Sequence, residues 1–295
     1  MVKLKLFIFF LACFSLNTNA QLLWKISGKG LKAPSYLMGT HHLAPLSIMD
    51  SIKGMQTALN STTQVIGELN MSDIHKPANI QLLQKKMMIE CDTTLQTLLS
   101  PSDYDMVNKF TKEYLNFELS QVPKLKPAFI SNNAVVVIYV KHVDNFNPQE
   151  QLDSYFQKQG TEKGKKIEAL ETLDFQLNIL YNSSSLQRQA QLLVCALNDL
   201  PQIIDSTKRL SVAYMTQDLN LMQQIAEERQ GNSCDPSAQE MESMITARNQ
   251  TWAKKLPTLI ETAPSFIAVG ALHLPGEEGL INLLRAQGYQ IEAVW

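Results

Sequence analysis

The chain has 295 residues, of which 45% are hydrophobic and 18% charged, and its formal net charge is −2. This composition supports a large buried core and excludes a disordered polymer. The near-neutral charge offers no basic surface for nucleic acid or anionic membrane.

Residues 1–20 read as a signal peptide. Lys3 and Lys5 form a basic start, residues 6–16 an apolar run too short to span a bilayer, and Thr18-Asn19-Ala20 a small-residue cleavage site. Losing those two lysines takes the formal charge from −2 to −4. The mature chain, residues 21–295, is expected to be exported, to the periplasm or outside the cell. A lipid anchor through Cys13 is the weaker reading, because Phe10 fits poorly three positions ahead of it. No later apolar run reaches transmembrane length.

Residues 22–26 and 36–39 read as paired strands around a Gly28, Gly30, Pro34 turn. Residues 47–59 carry apolar positions three and four apart and read as a helix, and residues 63–69 as a strand. Strand, helix, strand suggests a βαβ unit and a parallel sheet. Ser100-Pro101-Ser102-Asp103 is a helix start, with the helix expected to reach about Leu119. Residues 128–139 are apolar without a deciding period. Residues 149–159 read as a helix ended by Gly160 and residues 166–170 as a short strand. Helices are expected over 172–180, 186–200, 204–226 and 237–259, the last interrupted or ended near Pro257. Residues 266–270 form a strand, 278–286 a helix and 290–294 a last strand. The expected class is α/β: a central mixed sheet built from strands of both chain ends, covered by a large helical insertion.

Cys91, Cys195 and Cys234 remain after cleavage, without any C-x-x-C. Export permits one disulfide of open pairing, but isolated cysteines read first as buried small hydrophobes.

One pattern occurs twice. Residues 36–43 read YLMGTHHL and residues 267–274 read IAVGALHL, each an apolar run followed by G-x-x-H and Leu. Chance spacing gives only about 0.2 such pairs in a chain of this composition. A glycine at a strand end permits a sharp turn or a close approach. The histidines, His42 and His273, then lie on loops at strand carboxyl ends, where open α/β sheets place their sites. His41 is a second-shell or alternative group, because adjacent residues of an extended segment point oppositely.

Glu68 closes the apolar run VIGEL and is expected at the same sheet edge. Two imidazoles and a carboxylate make a three-donor set that leaves a position open for water. Glu68 is then a metal ligand or a general base; against both stands a capping or salt-bridged role. Glu171 faces the same cleft or serves a helix first turn, the second being preferred. Arg248 and Asn249 precede Trp252 on a helix. Arg248 binds a substrate carboxylate or oxyanion, or more ordinarily pairs with a structural acid. Tyr214 and Asp218 are spaced to pair on one helix face. His75 and His142 lack a strand-end setting and read as surface residues. H-E-x-x-H, G-x-S-x-G and the phosphate loop G-x-x-x-x-G-K-[ST] are absent.

These residues together resemble the TraB/GumN family, which includes the Tiki metalloproteases and is related to the erythromycin-esterase/ChaN-like fold. The resemblance runs through LLWKISG, YLMGTHHL, VIGELNM, IEALETLDFQ, AYMTQDL, ARNQTW and FIAVGALHLPGEEGLINLLRAQGYQI, nearly the whole mature chain. The family's hallmark falls on Gly39 with His42, on Glu68, and on Gly270 with His273. It implies a hydrolase, proteolytic in the Tiki branch, holding a divalent ion (Zn, Mn or Co) on His42, His273 and Glu68. Two departures stand out. Asn70 occupies a position that is often Asp, which leaves no second acidic ligand there. Gln217 precedes Asp218 where Gly is frequent, a change that concerns a helix end.

The leading expectation is therefore an exported metal-dependent hydrolase acting on a peptide or small molecule, with Glu68 and Arg248 as catalytic candidates. The alternatives are a non-catalytic peptide- or haem-binding protein and a scaffold with structural histidines. Donor atoms converging within about 5 Å favour a metal, and a large apolar cavity beside them favours haem.

Overall fold

Apolar runs from the two ends of the chain meet in one six-stranded sheet of order β4-β3-β5-β2-β1-β6. The computed structural model describes residues 21–143, 147 and 150–295, so the expected signal peptide and Cys13 lie outside the described residues. The strands are β1 (Leu23–Ser27), β2 (Ser35–Thr40), β3 (Gln64–Gly67), β4 (Lys166–Ala169), β5 (Ser265–Gly270) and β6 (Gln290–Ala293). The four strands β4, β3, β5 and β2 run parallel, and β1 is antiparallel to both its neighbours. The sheet is thus mixed, as expected. β5 is buried along five of its six residues, the continuous apolar run of a central parallel strand covered on both faces.

Register is pinned by buried polar groups where the parallel strands begin. The Ser265 amide donates to Ser35 Oγ at 3.0 Å, and Gln64 Nε2 donates to Ser265 Oγ at 2.6 Å and to the Leu259 carbonyl at 2.9 Å. A one-residue slip would break all three contacts and reverse the faces of the strands.

The longer helices are α1 (Met55–Ser61), α2 (Pro77–Lys86), α3 (Pro101–Phe110), α4 (Pro127–His142), α5 (Leu152–Glu162), α6 (Leu173–Asn182), α7 (Leu186–Asn198), α8 (Leu200–Met215), α9 (Leu219–Glu227), α10 (Ala247–Thr262) and α11 (Leu280–Ala286). The main core joins the sheet to α1, α5, α10 and α11, with the ends of α8 and α9. Part of the insertion holds a smaller core of its own, built from Leu95, Val107, Leu119, Ile130 and Leu193 among others.

Several boundaries differ from expectation for local reasons. The helix expected over 47–59 is a 3-10 turn at Leu46–Asp50 followed by α1, separated at Gly54, whose φ is +73°. The undecided run at 128–139 is α4. Its valines Val135, Val136 and Val140 are exposed opposite buried Ile130, Ala134 and Ile138, which erases the apolar period. The helix from Ser100 leaves α-geometry at Thr111–Leu115, a π-helical turn ended by left-handed Asn116. α5 runs past Gly160. A Cβ there would lie 2.7 Å from Val65 Cγ2, so the glycine allows α5 to press onto β3.

The helix expected over 204–226 is two helices broken at Gln217, in the left-handed region at φ +60°. The departure from Gly is therefore a matter of a helix end. α10 runs through Pro257. The Ala253 carbonyl, which the proline leaves without its helical donor, accepts from Gln287 Nε2 at 2.9 Å. The cysteines are not buried hydrophobes: Cys195 and Cys234 form a disulfide, and Cys91 is a free, exposed thiol.

Two glycine positions give opposite expectations. Gln217→Gly relieves a left-handed non-glycine residue, worth about 1 kcal/mol, and removes a buried amide oxygen that has no partner. Gly160→Ala gains about 1 kcal/mol of helix propensity but forces a clash with a cost of about 1–3 kcal/mol. Thermal unfolding should show the first variant melting above the parent and the second below it. The reverse order contradicts this account of both turns.

Candidate functional site

Parallel strands deliver their carboxyl ends to one edge, and four of them do so here. β2 leads into His41 and His42, β5 into His273, β3 into Glu68, and β4 into Leu170 and Glu171. The motif glycines work by close approach rather than by left-handed geometry. A Cβ on Gly39 would lie 3.1 Å from Ala271 Cα, and one on Gly270 would lie 3.3 Å from Glu68 Oε1. The Gly270 amide donates to that same Glu68 oxygen at 2.8 Å. Tyr214 also serves the motif. Its hydroxyl donates to the Gly39 carbonyl at 3.0 Å, and it is not paired with Asp218, which instead caps α9 through the Leu221 amide.

Arg248 stands at the centre. Its Nε and Nη2 grip Glu171 at 3.1 and 2.6 Å, Nη2 also donates to Glu68 Oε2 at 2.6 Å, and Nη1 donates to the Met244 carbonyl at 3.0 Å and to His273 Nε2 at 3.1 Å. All five guanidinium N–H donors are thereby engaged. The guanidinium also lies 4.6 Å from the centre of the Trp252 ring, whose Nε1 donates to Glu171 Oε2. Met244 belongs to a π-helical turn, Glu242–Thr246, just ahead of α10. Such turns recur at functional sites.

Glu171 is therefore no first-turn residue of α6. Thr172 caps that helix, and Glu171 turns inward to Arg248 with its side chain 4% exposed. Asn70, the other departure, caps the short helix Met71–Ile74 through the Ser72 amide and does not face the cluster.

His273 is buried and its tautomer is set by its neighbours. Asn249 Nδ2 donates to the Glu278 carbonyl at 2.8 Å, so Asn249 Oδ1 faces the ring and accepts from His273 Nδ1 at 2.6 Å. The Nε2 lone pair is left for Arg248 and stands 3.9 Å from Glu68 Oε1. Burial pushes the His273 pKa down to about 4, with Arg248 assisting. Burial opposes the Glu68 charge, but the surrounding cations and the Gly270 amide outweigh it and hold the carboxyl below its ordinary value. Since His273 is neutral above about pH 4, Arg248 is the buried cation that keeps Glu68 ionised at neutral pH.

His42 differs in every respect. Its side chain is 62% exposed, and Nδ1 donates to Asp153 Oδ2 at 2.7 Å. Asp153 is held in turn by Thr40 Oγ1 at 2.9 Å. The Asp153 carboxylate raises the His42 pKa to about 9. His41 points elsewhere: it sits between Tyr139 and Tyr214, takes the Leu43 amide on Nδ1, and burial lowers its pKa to about 4. His75 and His142 are exposed.

A cavity of about 440 Å³ opens between the two motif loops and is lined by His42, Glu68, Arg248 and His273. Among the described residues, no three His, Cys, Asp or Glu side chains are grouped to hold a metal ion. The donor chemistry nevertheless fits one. Each motif imidazole has Nδ1 anchored by an oxygen acceptor, which leaves Nε2 as the basic nitrogen, the arrangement found around metal-ligating histidines.

The sequence profile of the TraB/PrgY/gumN family matches residues 22–293. The chain belongs to that family. Two relatives from Danio rerio are Metalloprotease TIKI2, 24% identical over 92% of this chain, and Metalloprotease TIKI1, 25% identical over 88% of it. The chain spans about 60% of the length of each. No solved structure matches significantly.

Sequence reasoning missed Asp153, Thr40 and Gln176. Gln176 Nε2 bridges Glu68 and Glu171 at 3.1 and 3.0 Å. Asp153 lies in the first turn of α5, where an acid is ordinary for the helix dipole, and nothing local marks it as the partner of a residue 111 positions away.

Two measurements probe this network. In the metal-free protein, NMR titration should find His42 deprotonating near pH 9 and Asp153→Asn should return it toward 6.5. The pair stabilises the fold below about pH 6.5 and loses that contribution as pH rises through 9; a His42 pKa that Asp153→Asn leaves unmoved contradicts the pairing. Arg248→Ala leaves two buried carboxylates without their cation and should cost about 3–5 kcal/mol in denaturant unfolding. A loss under 1 kcal/mol would show that the cluster does not hold the fold.

Proposed function

We propose that the protein is an exported hydrolase that uses a divalent metal ion and acts on peptides. The observation that carries this reading is that Glu68, His42 and His273 line one cavity at one sheet edge, with both imidazole Nδ1 atoms anchored. The relatives named metalloproteases support it, as does the disulfide, which an oxidising compartment permits. Among the described residues no helix is long and apolar enough to cross a membrane.

His42, His273 and Glu68 would hold the ion. When bound, it would polarise a substrate carbonyl and lower the pKa of water. The residues divide the remaining work. Asp153 and Asn249 fix the two rings. Glu68, held ionised far below neutral pH, is a better ligand than general base, since a base works best with a pKa near the operating pH. Arg248 has no free donor for a substrate and so acts as a positioning group for Glu68 and His273. Loading requires Arg248 Nη1 to yield His273 Nε2, and His42 to lose its proton.

A second reading is favoured by the largely apolar wall of the cavity: a protein that binds an apolar ligand, haem-like or peptide, without turnover.

Metal analysis and peptide cleavage separate the two. His42→Ala is the cleaner variant, because its ring is exposed whereas His273 is buried against Trp252 and Asn249. His42→Ala and Glu68→Gln should reduce metal-stimulated cleavage to the level of the chelated parent, with the His42 variant still folding but melting below the parent because Asp153 loses its partner. Asp153→Asn should weaken metal affinity about 10- to 100-fold, and His75→Ala should change nothing. A parent that retains no metal, and whose activity is indifferent to chelator, removes the hydrolase reading.

A further inference from the structure

The cavity beside the motif histidines is chemically lopsided. His42, Glu68, Arg248 and His273 share its lining with six apolar side chains, Leu43, Ile179, Leu210, Met222, Met244 and Leu272. These six come from the two motif loops, α6, α8, α9 and the π turn, so separate parts of the chain supply one apolar surface. At about 440 Å³ it is of ligand size.

Each polar side chain that borders this surface has one atom committed within the protein. Gln176 Nε2 is spent on Glu68 and Glu171, Thr40 Oγ1 on Asp153, and His41 Nδ1 on the Leu43 amide. A charged side chain entering here would lose its water against mostly aliphatic walls, whereas an aliphatic one would lose only unfavourable hydration. The two methionines add walls that adapt to unbranched or branched chains.

We infer that this apolar wall forms the specificity pocket for a bulky aliphatic side chain, leucine, isoleucine or methionine, of a peptide whose reacting bond lies beside Glu68 and His42. The assignment rests on the peptide-hydrolase reading, and it names the substrate class of that same site.

The test uses pentapeptides acetyl-Ala-Ala-X-Ala-Ala-amide, with X as Leu, Met, Ala, Asp or Lys. Binding is measured by calorimetry to Glu68→Gln protein and to the chelated parent, which guards against misfolding of the variant. Leu and Met peptides should bind about tenfold or more tightly than the Ala, Asp and Lys peptides. Leu210→Arg, or Met244→Arg at an exposed position, should erase that discrimination. Equal binding of all five, no binding of any, or discrimination that survives both arginine variants overturns the pocket. Tight binding of haemin with no preference among the peptides overturns it as well. Cleavage by the metal-loaded parent is scored separately. Cleavage without side-chain preference sinks the pocket and keeps the hydrolase; selective binding of Leu and Met peptides that are never cleaved keeps the pocket and sinks the hydrolase.

Discussion

The structure depends on one buried cation. Arg248, with a side chain 7% exposed, holds Glu68 and Glu171, both also buried. Two carboxylates this close and this dry would not both stay ionised without it, since each isolated buried charge is expensive. The guanidinium forks into Glu171 through two nitrogens, a planar match that an ammonium cannot make. Because Glu68 follows β3, Glu171 follows β4, and Arg248 sits on the helix before β5, the cluster ties three consecutive parts of the sheet edge together. It is a fold contact and a site contact at once.

That double role changes how the duplicated motif should be understood. Both G-x-x-H segments place a histidine at the same edge, but the surroundings treat the two rings differently. His273 is neutral, tilted against Trp252 with ring centres 4.4 Å apart, and locked by Asn249. His42 is charged at neutral pH, open to solvent and held only through Asp153. The first ring is part of the core; the second is open to solvent and gives up its charge pairing with Asp153 when it loses its proton. An ion that joins them would draw its rigidity from the His273 side and its exchange with solvent from the His42 side.

Much of this was legible in the sequence. Apolar runs closed by glycine marked β2 and β5, and the chain termini sharing one sheet followed from where those runs lie. What the sequence could not show was pairing at long range. Asp153, 111 positions from His42, reads as an ordinary first-turn acid. Glu171 reads as a helix-start residue until Arg248, 77 positions on, is seen to claim it. The Cys195–Cys234 bond was equally hidden, since three cysteines at irregular spacing specify no pairing. Helix ends failed for a different reason. Gly160 and Pro257 are breakers by local propensity, and in both cases a tertiary contact, Val65 against Gly160 and Gln287 on the Ala253 carbonyl, overrides it.

The engagement of Arg248 also limits what the site can do without a change of state. With all five of its donors occupied, the guanidinium cannot receive a substrate carboxylate or a developing oxyanion. The group beside the cavity with uncommitted hydrogen-bonding capacity is instead the exposed His42 ring, whose Nδ1 alone is tied. Arg248 Nη1 holds the Met244 carbonyl of the π turn as well as His273 Nε2, so the central cation is tied to that turn. The same turn lines the apolar wall, so occupancy of the pocket and the position of the central cation act on one short piece of backbone.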